Sequence, residues 1–140
     1  MLPKLLINID GGSRGNPGPA AYAYVVKNEG KIEQTKAEFI GISTNNVAEY
    51  TGLINALTLL TSLEPSDVTI NMDSMLVVQQ VKGIYKVKQP HLQILHAQVI
   101  QLLSALKTKG FQLTIAHVYR EQNAIPDKLL NDCLDLHGKR

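Results

Sequence analysis

At 140 residues and 44% hydrophobic, the chain is long enough to bury its own core, and one domain covering 1–140 is expected. Its single cysteine, Cys133, excludes an internal disulfide, no Cys/His spacing suits a zinc site, and no run approaches the ~18 apolar residues of a membrane span. A formal net charge of +2 is too small for a protein that holds nucleic acid by bulk charge, so a soluble, cytoplasmic chain is expected, with nothing requiring more than a monomer.

Residues 4–10, KLLINID, read as a strand that runs into glycines and prolines. The stretches AAYAYVVKNEG and KIEQTKAEFI follow as two more strands, joined by a tight turn at Asn28-Glu29-Gly30, which predicts an antiparallel meander. From Asn46 to about Ser62 the pattern changes, with Tyr50, Ile54, Leu57 and Leu60 at helical spacing. DVTINMD alternates as a fourth strand, and SMLVVQQV reads as a short helix closing at Gly83. Lys82, Lys86 and Lys88 around Tyr85 then form the densest basic patch, which an ordinary solvated loop also explains. A long helix is expected from about Pro90 to Lys107, a fifth strand in FQLTIAHVY and a last helix from about Asn123 to Leu136. A strand joined through a helix to a later strand implies a parallel crossover, so the sheet should be mixed, with the first and fourth strands side by side. Asp10 and Asp73, both placed at strand-to-turn transitions, would then meet at one edge of the sheet.

Four carboxylates stand where elements begin or end, and each has a local explanation. Asp10 precedes a turn-forming glycine pair. Glu49 fits a capping box in which Asn46 caps the helix and Glu49 reaches back. Asp73 suits the cap of the helix starting at Ser74. Asp127 lies in a first helical turn, where the dipole favours an acid and Pro126 is tolerated. Brought to one mouth, the four would repel one another unless neutralised, and hard oxygen ligands call for a divalent cation such as Mg²⁺. Two such ions about 3.5–4 Å apart would clamp a phosphoryl group for in-line displacement.

The segments IDGGSRGNPGP, TNNVAEYTGLINAL, MDSMLVVQQV and HVYREQNAIPD, in this order and at these separations, resemble the type 1 ribonuclease H family over nearly the whole chain. The resemblance implies an α/β fold, a five-stranded mixed sheet with its first three strands antiparallel, flanked by helices. It places a metal-binding catalytic tetrad on Asp10, Glu49, Asp73 and Asp127 and implies dependence on Mg²⁺ or Mn²⁺, two ions with substrate bound. The implied activity is endonucleolytic cleavage of RNA in an RNA/DNA hybrid, leaving a 5′-phosphate and a 3′-hydroxyl. It further implies substrate contacts at Gly15, Asn16, Thr44, Asn45 and Asn46, groups suited to reading a 2′-hydroxyl, although turn and cap chemistry explains the same residue types.

Several positions depart from the family pattern. Met75 stands where many relatives have glutamine, and Pro126 where alanine is usual, which is expected to shift Asp127. His117 reads as a strand residue rather than the histidine that many bacterial members carry in a longer loop, Arg120 and Glu121 have no assigned part, and the Trp-rich basic protrusion is replaced by a short connection like that of archaeal-type relatives. Two other readings compete. One is a non-catalytic module that binds hybrid or double-stranded RNA on the same fold. The other is a proofreading exonuclease, disfavoured because the second acid such enzymes carry two residues after the first would fall on Gly12.

Overall fold

A computed structural model describes residues 1–137. In chain order the elements are β1 (Lys4–Ser13), β2 (Gly18–Asn28), β3 (Lys31–Ser43), α1 (Asn45–Leu60), β4 (Asp67–Met72), α2 (Met75–Val81), α3 (Pro90–Lys109), β5 (Gln112–His117), a single 3₁₀ turn (Arg120–Gln122) and α4 (Ala124–His137). The sheet order is β3-β2-β1-β4-β5. β1, β2 and β3 pair antiparallel, while β1 with β4 and β4 with β5 pair parallel. The expected mixed sheet is therefore present, with the first and fourth strands adjacent.

Local chemistry accounts for the element ends. Glu29 (φ 52°) and Gly30 (φ 78°) both occupy left-handed backbone, the geometry of a two-residue hairpin whose twist matches its strands. Helix α3 runs two residues beyond the expected Lys107 because Gly110, at φ 113°, supplies the left-handed residue that closes it. The first and third strands are longer than their apolar cores, since β1 continues through Ser13 and β3 through Ser43.

The two faces of the sheet are packed unequally. On one, Ile7 and Ile9 of β1 and Val68, Ile70 and Met72 of β4 meet Leu53, Leu57 and Leu60 of α1, with Val99 and Leu106 of α3 joining the same cluster. Among the described residues the other carries α4, whose Leu130 and Leu134 lie on Ala21 and Ala23 of β2. At roughly 1.5–3 kcal/mol per buried leucine, two leucines hold α4 more weakly than the larger cluster holds α1. Polar ties supplement them: Arg14 pairs with Asp135 at 2.7 Å and donates to the Asn131 carbonyl at 3.2 Å. The small alanines also let α4 come close to the sheet.

Candidate active site

Side chains alternate along β1, so Ile7, Ile9 and Gly11 face α1 while Asn8, Asp10 and Gly12 face the α4 side. A Cβ on Gly11 would lie 2.5 Å from the Ala48 carbonyl carbon and 2.6 Å from the Glu49 nitrogen, and one on Gly12 would lie 3.5 Å from Leu130 Cδ2. The bare backbone at Gly11 lets α1 touch the strand, and its N–H donates to Glu49 Oε1 as well as to Asp10 Oδ1.

Asp10 lies inside β1 rather than at its end, but the parallel pairing of β1 with β4 stops one residue earlier, at Ile9↔Met72. Asp10 and Asp73 are therefore the first residues beyond the paired register of two neighbouring strands. One carboxylate oxygen from each of Asp10, Glu49 and Asp73 lies within 4.8 Å of the others. Asp127 is outside that trio but lines the same cleft, of about 380 Å³, together with Asp10, Asp73 and Arg120.

Two of the local explanations give way, and so does the expected shift of Asp127. Helix α1 is capped by Thr44, whose Oγ1 accepts from Val47 N at 3.3 Å, so neither Asn46 nor Glu49 forms the expected capping box. Glu49 is buried on the sheet side instead. Helix α2 is capped by Ser74, which leaves Asp73 free of that duty. Pro126 does not push Asp127 out of α4: it is the third helical residue, and the first helical hydrogen bond forms after it, from Asp127 N to Asn123 O at 3.2 Å. The Asp127 carboxylate lies 3.7 Å from Arg120 and close enough to Asp10 to help raise that group.

Burial pushes all three clustered carboxyls upward, and repulsion within the cluster adds to it at Asp10 and Glu49. Asp10 rises to about 7, through burial first and the neighbouring Asp73 charge second. Glu49 is driven well above the usual carboxylate range by burial and then by the charges of Asp10 and Asp73, with the Gly11 N–H opposing. Asp73 is raised by burial, against the pull of Asn123 and Arg120. Among the described residues no lysine or arginine forms an ion pair with any of the three, and Glu49 Oε2 is buried without a hydrogen-bond partner. Hard oxygens lacking a counter-charge, one of them unpaired, are the donor set that a divalent cation satisfies.

The loop residues fall into two groups. Asn16 Oδ1 accepts from Asn45 N at 3.0 Å, Asn45 Oδ1 accepts from Ser13 N at 2.8 Å, and Thr44 caps the helix between them. Gly15, at φ 94°, shapes the same loop. These four sit at one junction beside the acids. Asn46 instead lines a neighbouring groove of about 580 Å³ with Leu76, Tyr85, Lys86 and Lys88. Met75 is exposed at the start of α2, and His117 ends β5 with its ring edge-on to Tyr119. Sequence reasoning missed Asn123, fully buried beneath the acids, and Asn131, which donates to the Asp127 carboxylate at 3.3 Å. The one signal for Asn123 was its place before a helix, which also marks countless ordinary caps.

The family described as reverse transcriptase-like matches residues 8–133. The chain is 41% identical over 134 residues to bifunctional protein Rv2228c of Mycobacterium tuberculosis, a match that covers 94% of this chain and 36% of that protein. It is 39% identical over 128 residues to ribonuclease HI of Halobacterium salinarum, covering 90% of this chain and 62% of the relative. The chain thus spans about a third of the mycobacterial protein's length. Its fold superposes on LC11-RNase H1, solved in complex with an RNA/DNA hybrid, with a TM-score of 0.86 and 38% identity over 94% of this chain and 97% of that one. On that family match, those identities and that superposition, the chain belongs to the type 1 ribonuclease H family, within the reverse transcriptase-like group.

Proposed function

We propose that this chain is a metal-dependent endonuclease that hydrolyses the RNA strand of RNA/DNA hybrids, leaving 5′-phosphate and 3′-hydroxyl ends, and that residues 1–140 act as one catalytic domain, monomeric and cytoplasmic. The carrying observation is the convergence of Asp10, Glu49 and Asp73, from three distant parts of the chain, on a common point where no lysine or arginine among the described residues pairs with them. Similarity to an RNase H1 solved with an RNA/DNA hybrid supports the choice of substrate.

Asp10, Glu49 and Asp73 would hold divalent ions, with Asp127 supplying a fourth carboxylate from the rim of the cleft. When bound, Mg²⁺ or Mn²⁺ as a pair supplies an activated water and stabilises the leaving oxygen. The chain's own part is to fix these oxygens in advance. Gly11 N–H holds Glu49 toward Asp10, and Arg120 and Asn131 hold Asp127. The junction of Gly15, Asn16, Thr44 and Asn45 opens on the same side and offers small and amide groups to the sugar edge of a hybrid, where the 2′-hydroxyl distinguishes RNA from DNA. Asn46, with Tyr85, Lys86 and Lys88, would follow the backbone along the adjoining groove.

The deciding assay compares RNA/DNA, RNA/RNA and DNA/DNA duplexes with Mg²⁺, with Mn²⁺ and with EDTA. Internal cleavage of the RNA in the hybrid, dependent on the ion and reduced at least a hundredfold in Asp10→Asn and Glu49→Gln proteins that remain folded, is expected. Wild-type cleavage no greater than that of Asp10→Asn would end the proposal, and degradation strictly from a 3′ end would replace it with an exonuclease.

A further inference from the structure

Asn123 is a fully buried polar residue that the proposed chemistry leaves unused, with a relative exposure of 0%. Its Nδ2 donates to the carbonyl of Ile9, the residue before Asp10, at 2.8 Å. Its backbone carbonyl accepts from Asp127 N at 3.2 Å and so begins α4. One side chain and its own backbone therefore touch the chain at, or next to, two carboxylates that come from β1 and α4.

Packing alone does not explain an asparagine here. Its Oδ1 is buried and has no hydrogen-bond partner among the described residues, and such an orphan costs about 1–3 kcal/mol. An apolar residue would fill the space without that penalty. What only the amide supplies is an N–H donor on a short, rigid side chain, able to hold the strand carbonyl before Asp10 at a fixed separation from the start of α4.

We infer that Asn123 is a positioning residue that sets the spacing of Asp10 and Asp127 for divalent-cation binding by tying the Ile9 carbonyl to the first turn of α4. The inference rests on the proposed metal site and adds to it the group that organises it from behind. Partners that orient ligands in this way typically change metal affinity 10–100-fold when removed.

The test is Mn²⁺ affinity without substrate, read from the loss of the free-ion electron paramagnetic resonance signal on titration, for wild type, Asn123→Ala and Asn123→Ser. Serine keeps a residue suited to starting a helix yet is too short to reach Ile9, so it serves if the alanine protein does not fold. Val99→Ala, in the core on the opposite face, provides a control for lost stability. Expected is at least a tenfold loss of affinity in the Asn123 variants and a change of less than twofold in Val99→Ala. An Asn123 variant within twofold of wild type, or a Val99→Ala loss as large as that of Asn123→Ser, would overturn the inference and leave the metal site standing. A wild-type protein that takes up no Mn²⁺ would remove both.

Discussion

Glycine 11 decides whether Glu49 can reach its neighbours, because the strand and α1 meet there backbone to backbone. A methyl group would sit 2.5 Å from the Ala48 carbonyl carbon and 2.6 Å from its oxygen. Neither atom belongs to a flexible side-chain end, so the whole first turn of α1 has to move. Gly11→Ala is therefore expected to destabilise the protein by about 1–3 kcal/mol, as overpacking does, and to carry Glu49 away from Asp10. Gly12, one residue on, makes a useful comparison: its added Cβ would meet Leu130 Cδ2 at 3.5 Å, an ordinary contact. Urea melts should show a clear fall in midpoint for Gly11→Ala and little for Gly12→Ala, and Mn²⁺ affinity should fall with the first. Equal midpoints for the two variants would show that α1 does not depend on this close approach.

At the scale of elements, the N-terminus of α1 is latched to the β1–β2 loop through Asn16, Asn45 and Ser13, with Thr44 as the cap. Thr44→Ala removes the acceptor for Val47 N and should cost about 0.5–2 kcal/mol, while Thr44→Ser, which keeps the hydroxyl, should lose much less. Thermal denaturation of the two variants checks this, and identical losses would assign the effect to the methyl group instead. The order and type of the elements could be read from the sequence because strand alternation, the helical spacing of α1 and the closing glycines are local signals. The convergence of Asp10 and Asp73 followed from topology, since parallel neighbours end together. The orientation of Glu49 could not be read, because a capping box and a site carboxylate use the same residue type three positions into a helix. Pro126 misled for a related reason: the rule for the residue before proline is local, whereas α4 begins early enough that no helical hydrogen bond is lost at that position. Asn123 was invisible because what it touches, Ile9, is 114 residues away.

For the molecule as a whole, three carboxyls with raised affinity for protons make folding depend on pH in an unusual direction. Asp10 has an ordinary value of 3.8 and is raised to about 7 when folded. Between those values the folded chain keeps a proton that the unfolded chain has released, so stability falls as pH rises through that window. Glu49 and Asp73 shift in the same direction and add to the trend. For Asp10 the contribution is of the order of 2–4 kcal/mol, present in full below about pH 4 and lost as pH rises through about 7. A divalent cation competes with those protons, so its stabilisation should grow across the same window, reaching about 1.4 kcal/mol when the free ion is tenfold above its dissociation constant. Thermal melts in EDTA and in Mg²⁺, taken from pH 5 to pH 8, should diverge as pH rises, and the gap should shrink in Asp10→Asn, which removes one of the competing charges. Parallel curves in EDTA and Mg²⁺ at every pH would mean that the cluster does not exchange protons for metal, and its acids would then have to be held apart by some other means.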